Sequence, residues 1–412
     1  VPEVYGTKGC KRLDSRHLPG YPALFCWMNY EEKDGMEMTH TDRETGAGRM
    51  PSTPHWHIDS AAMSEPARLQ GLLKEAAALL RQGGVVAFPT ETVYGLGADA
   101  RVTSAVEAVF AAKGRPSDNP LIVHIAKDEQ LDELVQQVGP TARKLMDAFW
   151  PGPLTIVLPV REGVLSPRVT AGLDTVGIRM PDHPVALALI EESGCPVAAP
   201  SANRSGRPSP TLAGHVLEDL ADSIDGIVDG GATGVGVEST VVQVQEDGAI
   251  TVLRPGGVTL EQLSLAAGVP VQLDPALLPE SGGVSDQAPR APGMKYTHYA
   301  PKGELSIVTG ESQAEVSAWI SRSLKEAAAR GERTGVLAFD EHIGSYEADC
   351  VLSLGSLSDL STAAHRLYAL LRRMDEERIG YILSEACPED GLGAAIMNRL
   401  RKAAGQTVIR LG

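Results

Sequence analysis

The chain of 412 residues reads as an α/β protein of more than one domain, and three observations point there. Short β-branched runs closed by Gly or Pro alternate with helix-like segments over most of its length. Apolar residues make up 43% of it, enough to bury sizeable cores, whereas aromatic residues reach only 4%. Gly (43) and Pro (28) are plentiful, which suits many turns and argues against a coiled coil. The length exceeds one ordinary domain and sets two or three as the expectation.

Taken in order, the first 62 residues show no sustained helical or strand period. The expectation is a start at Met63, with residues 1–63 a disordered or non-native extension. His17, His40, His55 and His57 lie there in a spacing that matches no standard ligand pattern. SEPARLQGLLKEAAALLRQGG then predicts an amphipathic helix with Ser64 as its N-cap and Gly83 as its stop. Up to Val271, the runs VVAFP, PLIVHI, LTIVLPV, VGIRM, PVAAP, GIVDG, STVVQV and TVLRPG read as strands, with helices such as TSAVEAVFAAKG and PVALALIEESG between them. Residues 64–271 are thus expected to form one domain around a mixed sheet. Residues 272–303 are dense in Pro, Gly and Ser and read as a linker. Residues 304–412 hold LSIVTG, TGVLAFD, DCVLSLG, RIGYILSEA and TVIRL, alternating with helices around 313–330, 360–375 and 391–404. That pattern predicts a smaller, Rossmann-like α/β domain with a parallel, three-layered core.

The formal net charge is −16, the opposite of what a protein built to grip nucleic acid carries. Local basic clusters can still hold a small anion. Cys10, Cys26, Cys195, Cys350 and Cys387 are scattered, odd in number and without a CxxC pair, which fits a reducing compartment better than a disulfide framework. No run approaches the length of a bilayer span, and no basic-then-apolar leader opens the chain. The expectation is a cytoplasmic protein with no membrane partner.

The familiar catalytic signatures are missing: no GxxxxGK[ST] phosphate loop, no GxSxG elbow, no HExxH. GGATGVGVEST does not match a dinucleotide fingerprint after a strand. Instead, polar residues sit at the ends of apolar strands, where open α/β sheets place ligands. PTETVYGLG carries Thr90, Thr92 and Tyr94 on a turn; KGRPSDNPLIVHI carries Lys113, Arg115, Asn119 and His124. Arg179 follows in GIRM, Ser201, Asn203 and Ser209 in PSANRSGRPSP, Ser239 in VEST and Arg254 in LRPGG. Each stretch alone is a turn. Together they describe an anion-binding cleft.

In order, these segments, with FWPGPLTIVL, APGMKYTHYAP and the tail LGAAIMNRLRKAA, resemble the YrdC-like family in its long two-domain, threonylcarbamoyl-AMP synthase form. The resemblance covers roughly 84–302 and reaches into the second domain. It implies a twisted mixed sheet around a deep concave cleft. It also implies synthesis of threonylcarbamoyl-adenylate from L-threonine, bicarbonate and ATP with release of pyrophosphate. A downstream transferase then passes the group to the adenosine beside a tRNA anticodon. By this resemblance ATP is held by Lys113, Arg115, Asn119, Thr175, Ser201, Asn203, Ser209, Arg254 and Tyr299. Lys113 and Arg115 are the catalytic cations, and Mg2+ shares the phosphate charge. Threonine is held by Thr92, His124, Arg179, Ala199 and Ser239, with the Arg179 fork suited to the carboxylate. No side chain is assigned to a metal. The linker motif, with Tyr296, His298 and Tyr299, is expected to fold back over the nucleotide. Two rivals are an RNA- or tRNA-binding module, disfavoured by acidity and the lack of aromatic stacking motifs, and a carbamoyltransferase-type maturation factor, disfavoured by the lack of cysteine pairs.

Overall fold

Two sheets, one of eleven mixed strands and one of five parallel strands, organise the chain. The structure is a computed structural model and describes residues 53–277, 289–292 and 298–412. From edge to edge the larger sheet runs His55–His57, Gly226–Asp229, Val86–Phe88, Gly95–Asp99, Val197–Ala198, Ile122–His124, Thr175–Arg179, Leu154–Pro159, Thr240–Val244, Ile250–Arg254 and Val271–Leu273. All eight runs expected as strands between Gly84 and Val271 are there.

The other three strands carry the corrections. Gly95–Asp99 lies in a stretch read as a turn; its glycines are there for space, since a Cβ at Gly97 would come within 2.7 Å of Phe88 and Val197. His55–His57 pairs in parallel with Gly226–Asp229, and Ile58 and Ala62 just after it are buried with Leu73, Leu80 and Val228. The folded body therefore begins well before Met63. The boundary expected at 63 is too late because a three-residue edge strand has too few positions to show a period. Val271–Leu273 pairs in parallel with Ile250–Arg254, so the expected linker also gives its first residues to the sheet. Ser64 is not the N-cap of the long helix. It closes a short helix, Ser60–Met63, capped by Asp59, and the helix Pro66–Arg81 starts after Glu65 on a proline whose missing N–H costs nothing at that position.

In the second domain the order is Cys350–Ser353, Thr334–Ala338, Tyr381–Glu385, Glu304–Gly310, Val408–Leu411, all parallel. The fourth strand in sequence sits between the first and the second, unlike a dinucleotide-binding sheet, where first and second are neighbours. The helix Gln313–Ala329 covers one face through Val316, Ile320 and Leu324. The helices Leu360–Glu376 and Gly393–Ala403 cover the other, giving three layers. That second pair also faces the first domain, because Val93, Val237 and Tyr299 belong to the same apolar cluster. The approach is closest at Gly236, which has φ +83° and where a Cβ would lie 2.3 Å from His365 Cα. Among the described residues no helix is long and apolar enough to cross a membrane.

Ile58 is 2% exposed, so Ile58→Ala is expected to destabilise the protein by about 2–4 kcal/mol. Deleting residues 1–62 is expected to lower the melting temperature as well. Calorimetric scans of both variants check this; unchanged melting in both would show that the edge strand contributes nothing.

Candidate functional site

The cleft follows from side-chain alternation along the middle of the large sheet. In Leu154–Pro159, Leu154, Ile156 and Leu158 enter the main core, which turns Thr155 and Val157 to the opposite face. There Val157 meets Ile122, Val241 and Leu253, and Ala291 from the linker covers them. Around this apolar floor the same strands end in polar residues. His124 and Arg179 are direct register partners on adjacent parallel strands. Thr155 Oγ1 lies 2.8 Å from Ser239 Oγ, and Arg254 ends the strand beyond. Arg179 and Arg254 stand three strand spacings apart, roughly 14 Å.

Of the residues assigned to ATP or threonine, eleven line one cavity: Thr92, His124, Arg179, Ala199 and Ser239, with Lys113, Arg115, Ser201, Asn203, Arg254 and Tyr299. Three do not. Ser209 is buried behind the wall and donates to Glu238 Oε1 at 2.6 Å. Asn119 is fully buried, with neither amide atom hydrogen-bonded among the described residues, and its backbone carbonyl accepts from Arg115 Nε at 3.3 Å. Thr175 opens the strand that Arg179 closes; four residues of extended chain put it roughly 13 Å from that end, outside the lining. Tyr94, quoted with the same turn, is buried away from the cleft and donates to the Gly231 carbonyl at 2.7 Å.

The cations differ from free, displayed charges. Lys113 is 3% exposed, and its Nζ donates to the Ser201 carbonyl, to the Asn203 carbonyl at 2.5 Å and to Asn203 Oδ1 at 3.4 Å. Burial, and then the Arg115 charge, drive its pKa well below the ordinary lysine value. Lys113 thus braces the loop that carries Ser201 and Asn203. Arg115 donates to the Asn119 and Pro120 carbonyls, and its Nη1 has no partner among the described residues. Burial lowers it to about 10, so it stays charged. Arg254 donates to the Ser239 carbonyl at 3.0 Å and to the Pro292 carbonyl at 3.3 Å. Both arginines are satisfied mainly by neutral acceptors, which leaves their charge available to an anion.

Arg179 is the exception. Its Nη1 donates to Thr92 Oγ1 at 2.9 Å, while Nη2 makes a close, poorly aligned ion contact of 2.6 Å with buried Glu91. His124 beside it is held down to about 3, first by burial and then by the Arg179 charge, and its Nδ1 is buried without a partner among the described residues. It is a neutral imidazole with a hydrogen-bonding atom to offer. From the linker, Pro292, His298 and Tyr299 reach the cavity, whereas Tyr296 falls outside the described residues.

Sequence reading missed Glu238, Tyr368 and Arg399. Glu238 lines the cavity next to Ser239, and Tyr368 and Arg399 reach its carboxylate from the second domain. The tail LGAAIMNRLRKAA held the signal: Arg399 and Lys402, three apart on one helix, are buried among its apolar residues.

Three histidines, two buried and His215 half-buried, are held neutral, which sets an acid limit on stability. His124 has a folded-state pKa of about 3, and His183 and His215 about 4, against 6.5 in the unfolded chain. Below 6.5 the unfolded chain binds protons that the folded one refuses, so this stability is complete above 6.5 and is lost as pH falls toward 4. The expected slope is up to three protons, each about 1.4 kcal/mol per pH unit. Denaturant titrations between pH 7 and 4 check it, and a flat free energy across that window would contradict it.

A family model described as telomere recombination matches residues 78–256, and one described as threonylcarbamoyl-AMP synthase, C-terminal domain, matches 258–405. The chain is 52% identical over 360 residues to the threonylcarbamoyl-AMP synthase of Bacillus subtilis, covering 87% of this chain and 99% of that one. It is 42% identical over 368 residues to the enzyme of that name from Schizosaccharomyces pombe, covering 82% and 90%. The structure is similar, with a TM-score of 0.80 and 45% identity, to a crystal structure of Pyrococcus abyssi Sua5 complexed with L-threonine, over 87% of this chain and all of that one.

Proposed function

The chain belongs to the threonylcarbamoyl-AMP synthase family, and on that premise we propose how its own residues serve the reaction. The activity is formation of L-threonylcarbamoyl-adenylate from L-threonine, bicarbonate and ATP, with pyrophosphate released. The threonine amine adds to bicarbonate with loss of water, and a carbamate oxygen then attacks the α-phosphorus as the bond to pyrophosphate breaks. No protein nucleophile is needed, so the task is alignment and charge stabilisation. The observation that carries our assignment is the set of buried cations held by neutral carbonyls at one cleft.

In this reading Arg115 and Arg254 face the triphosphate, while Lys113 acts through the Ser201–Asn203 loop it braces. Threonine binds at the other end, its carboxylate on Arg179 and its polar groups near Thr92, His124 and Ser239. The side chains do not fit a resident metal: no group of three or more His, Cys, Asp or Glu suited to one lies among the described residues, and Glu238 is saturated by its own donors. Mg2+ belongs to the ATP that enters, not to the protein. The product is a reactive mixed anhydride suited to a group-transferring consumer, which the family's role makes a transferase acting on tRNA, and we place both in the cytoplasm. The relatives' shared name supports the synthase reading over the RNA-binding and maturation-factor ones.

Pyrophosphate release is expected to require both threonine and bicarbonate; full-rate release without bicarbonate would refute the reaction. Arg115→Ala is expected to cut turnover on the order of 100-fold with little change in melting. Arg179→Ala should raise the KM for threonine far more than that for ATP. Lys113→Met should lower both turnover and melting temperature, because a charge-assisted brace inside the fold is lost. Steady-state kinetics beside thermal scans separate the three; identical behaviour would undo the division of roles. Serine should be a poorer substrate than threonine, since one missing methyl costs about 1 kcal/mol or more.

A further inference from the structure

The second domain reaches the nucleotide end of the cleft through one buried carboxylate. Glu238 is 6% exposed and lines the cavity. Its Oε2 accepts from Arg399 Nε at 2.8 Å and Tyr368 OH at 2.8 Å, and its Oε1 accepts from Ser209 Oγ at 2.6 Å. Arg399 and Tyr368 are both fully buried, on the two helices that face the first domain. Arg399 also donates to the Pro255 carbonyl at 2.7 Å, one residue after Arg254. Its guanidinium carbon lies 5.9 Å from the Tyr299 ring centre, and the Tyr299 and Tyr368 rings are 5.1 Å apart. Tyr299 itself has φ +69°, a left-handed backbone that a tyrosine keeps only where packing holds it.

We infer that the cluster of Glu238, Arg399 and Tyr368 is the device by which the second domain completes the nucleotide side of the cleft, with Arg399 and Tyr368 as positioning residues. This rests on the reading of the cleft given above. Two effects act together. Arg399 neutralises Glu238, so the nearby Arg254 is not drawn into pairing with it and keeps its charge for the phosphates. The same guanidinium, with the Tyr368 ring, holds Tyr299 in its strained backbone at the cavity wall. Without Arg399, a buried carboxylate would lose the guanidinium bonded to it, where a polyanion must bind.

The test uses the full chain carrying Arg399→Met, Tyr368→Phe, Glu238→Gln, or Glu238→Gln with Arg399→Met. ATP binding is read by calorimetry without turnover, and KM values for ATP and threonine by pyrophosphate release. Arg399→Met is expected to weaken ATP binding on the order of tenfold, as an unpaired buried charge does, and to change the threonine KM less than about twofold. Adding Glu238→Gln to it should restore much of that loss, because the buried carboxylate is removed together with its partner. Tyr368→Phe, which keeps the ring, should weaken ATP binding in the same direction by a smaller factor, and it carries the test if Arg399→Met fails to fold. Equal losses for ATP and threonine, no recovery in the double variant, or wild-type ATP affinity in folded single variants would overturn the inference and leave a plain interdomain contact. Wild-type protein that binds ATP but makes no threonine-dependent pyrophosphate would overturn the reaction instead.

Discussion

Glu238 is a buried charge at the cavity wall, and its donors come from three distant stretches of chain. Burial disfavours its charged form, yet Arg399, Arg254 and the Ser209 hydroxyl outweigh that and hold it at about 2. A buried carboxylate of this kind stabilises little by itself, since its desolvation offsets much of the attraction. What it imposes is geometry. Ser209, the turn after Arg254 and the two helices of the second domain must all arrive at one point. A second buried pair, Arg372 Nη2 on Asp219 Oδ2 at 2.8 Å, ties the same helix to the first domain. The contact between Gly236 and His365 removes the remaining slack.

Much of the architecture was legible because the strands of the larger sheet are β-branched runs bounded by Gly and Pro. The eight runs read between Gly84 and Val271, and the five in the second domain, all exist. The failures share a cause. His55–His57 and Val271–Leu273 are three residues each, too short for a period, and Gly95–Asp99 is glycine-rich because Phe88 and Val197 crowd it. Strand order in the second domain was beyond reach, because local pattern says nothing about which parallel neighbours a strand joins.

At the site, sequence gathered most of the lining but not how each residue works. Lys113 and Arg115 look alike in KGRP. Helix Thr103–Lys113 turns one into a buried brace, and the loop after it leaves the other with a nitrogen that has no partner among the described residues. Arg179 was legible as a carboxylate partner, but its contact with Glu91 depends on two segments meeting across the fold. Glu238 sat in plain view beside Ser239, and nothing local distinguishes a buried glutamate from a solvated one. Its meaning lies in residues far along the chain.

That distance has a consequence during synthesis. Arg399 follows Glu238 by 161 residues, so at ordinary elongation rates its cation emerges on the order of ten seconds after the carboxylate. In that interval the large sheet can pair its strands, while the cleft wall still holds an acid without its counter-ion. The wall is complete only once the helix Gly393–Ala403 has been made.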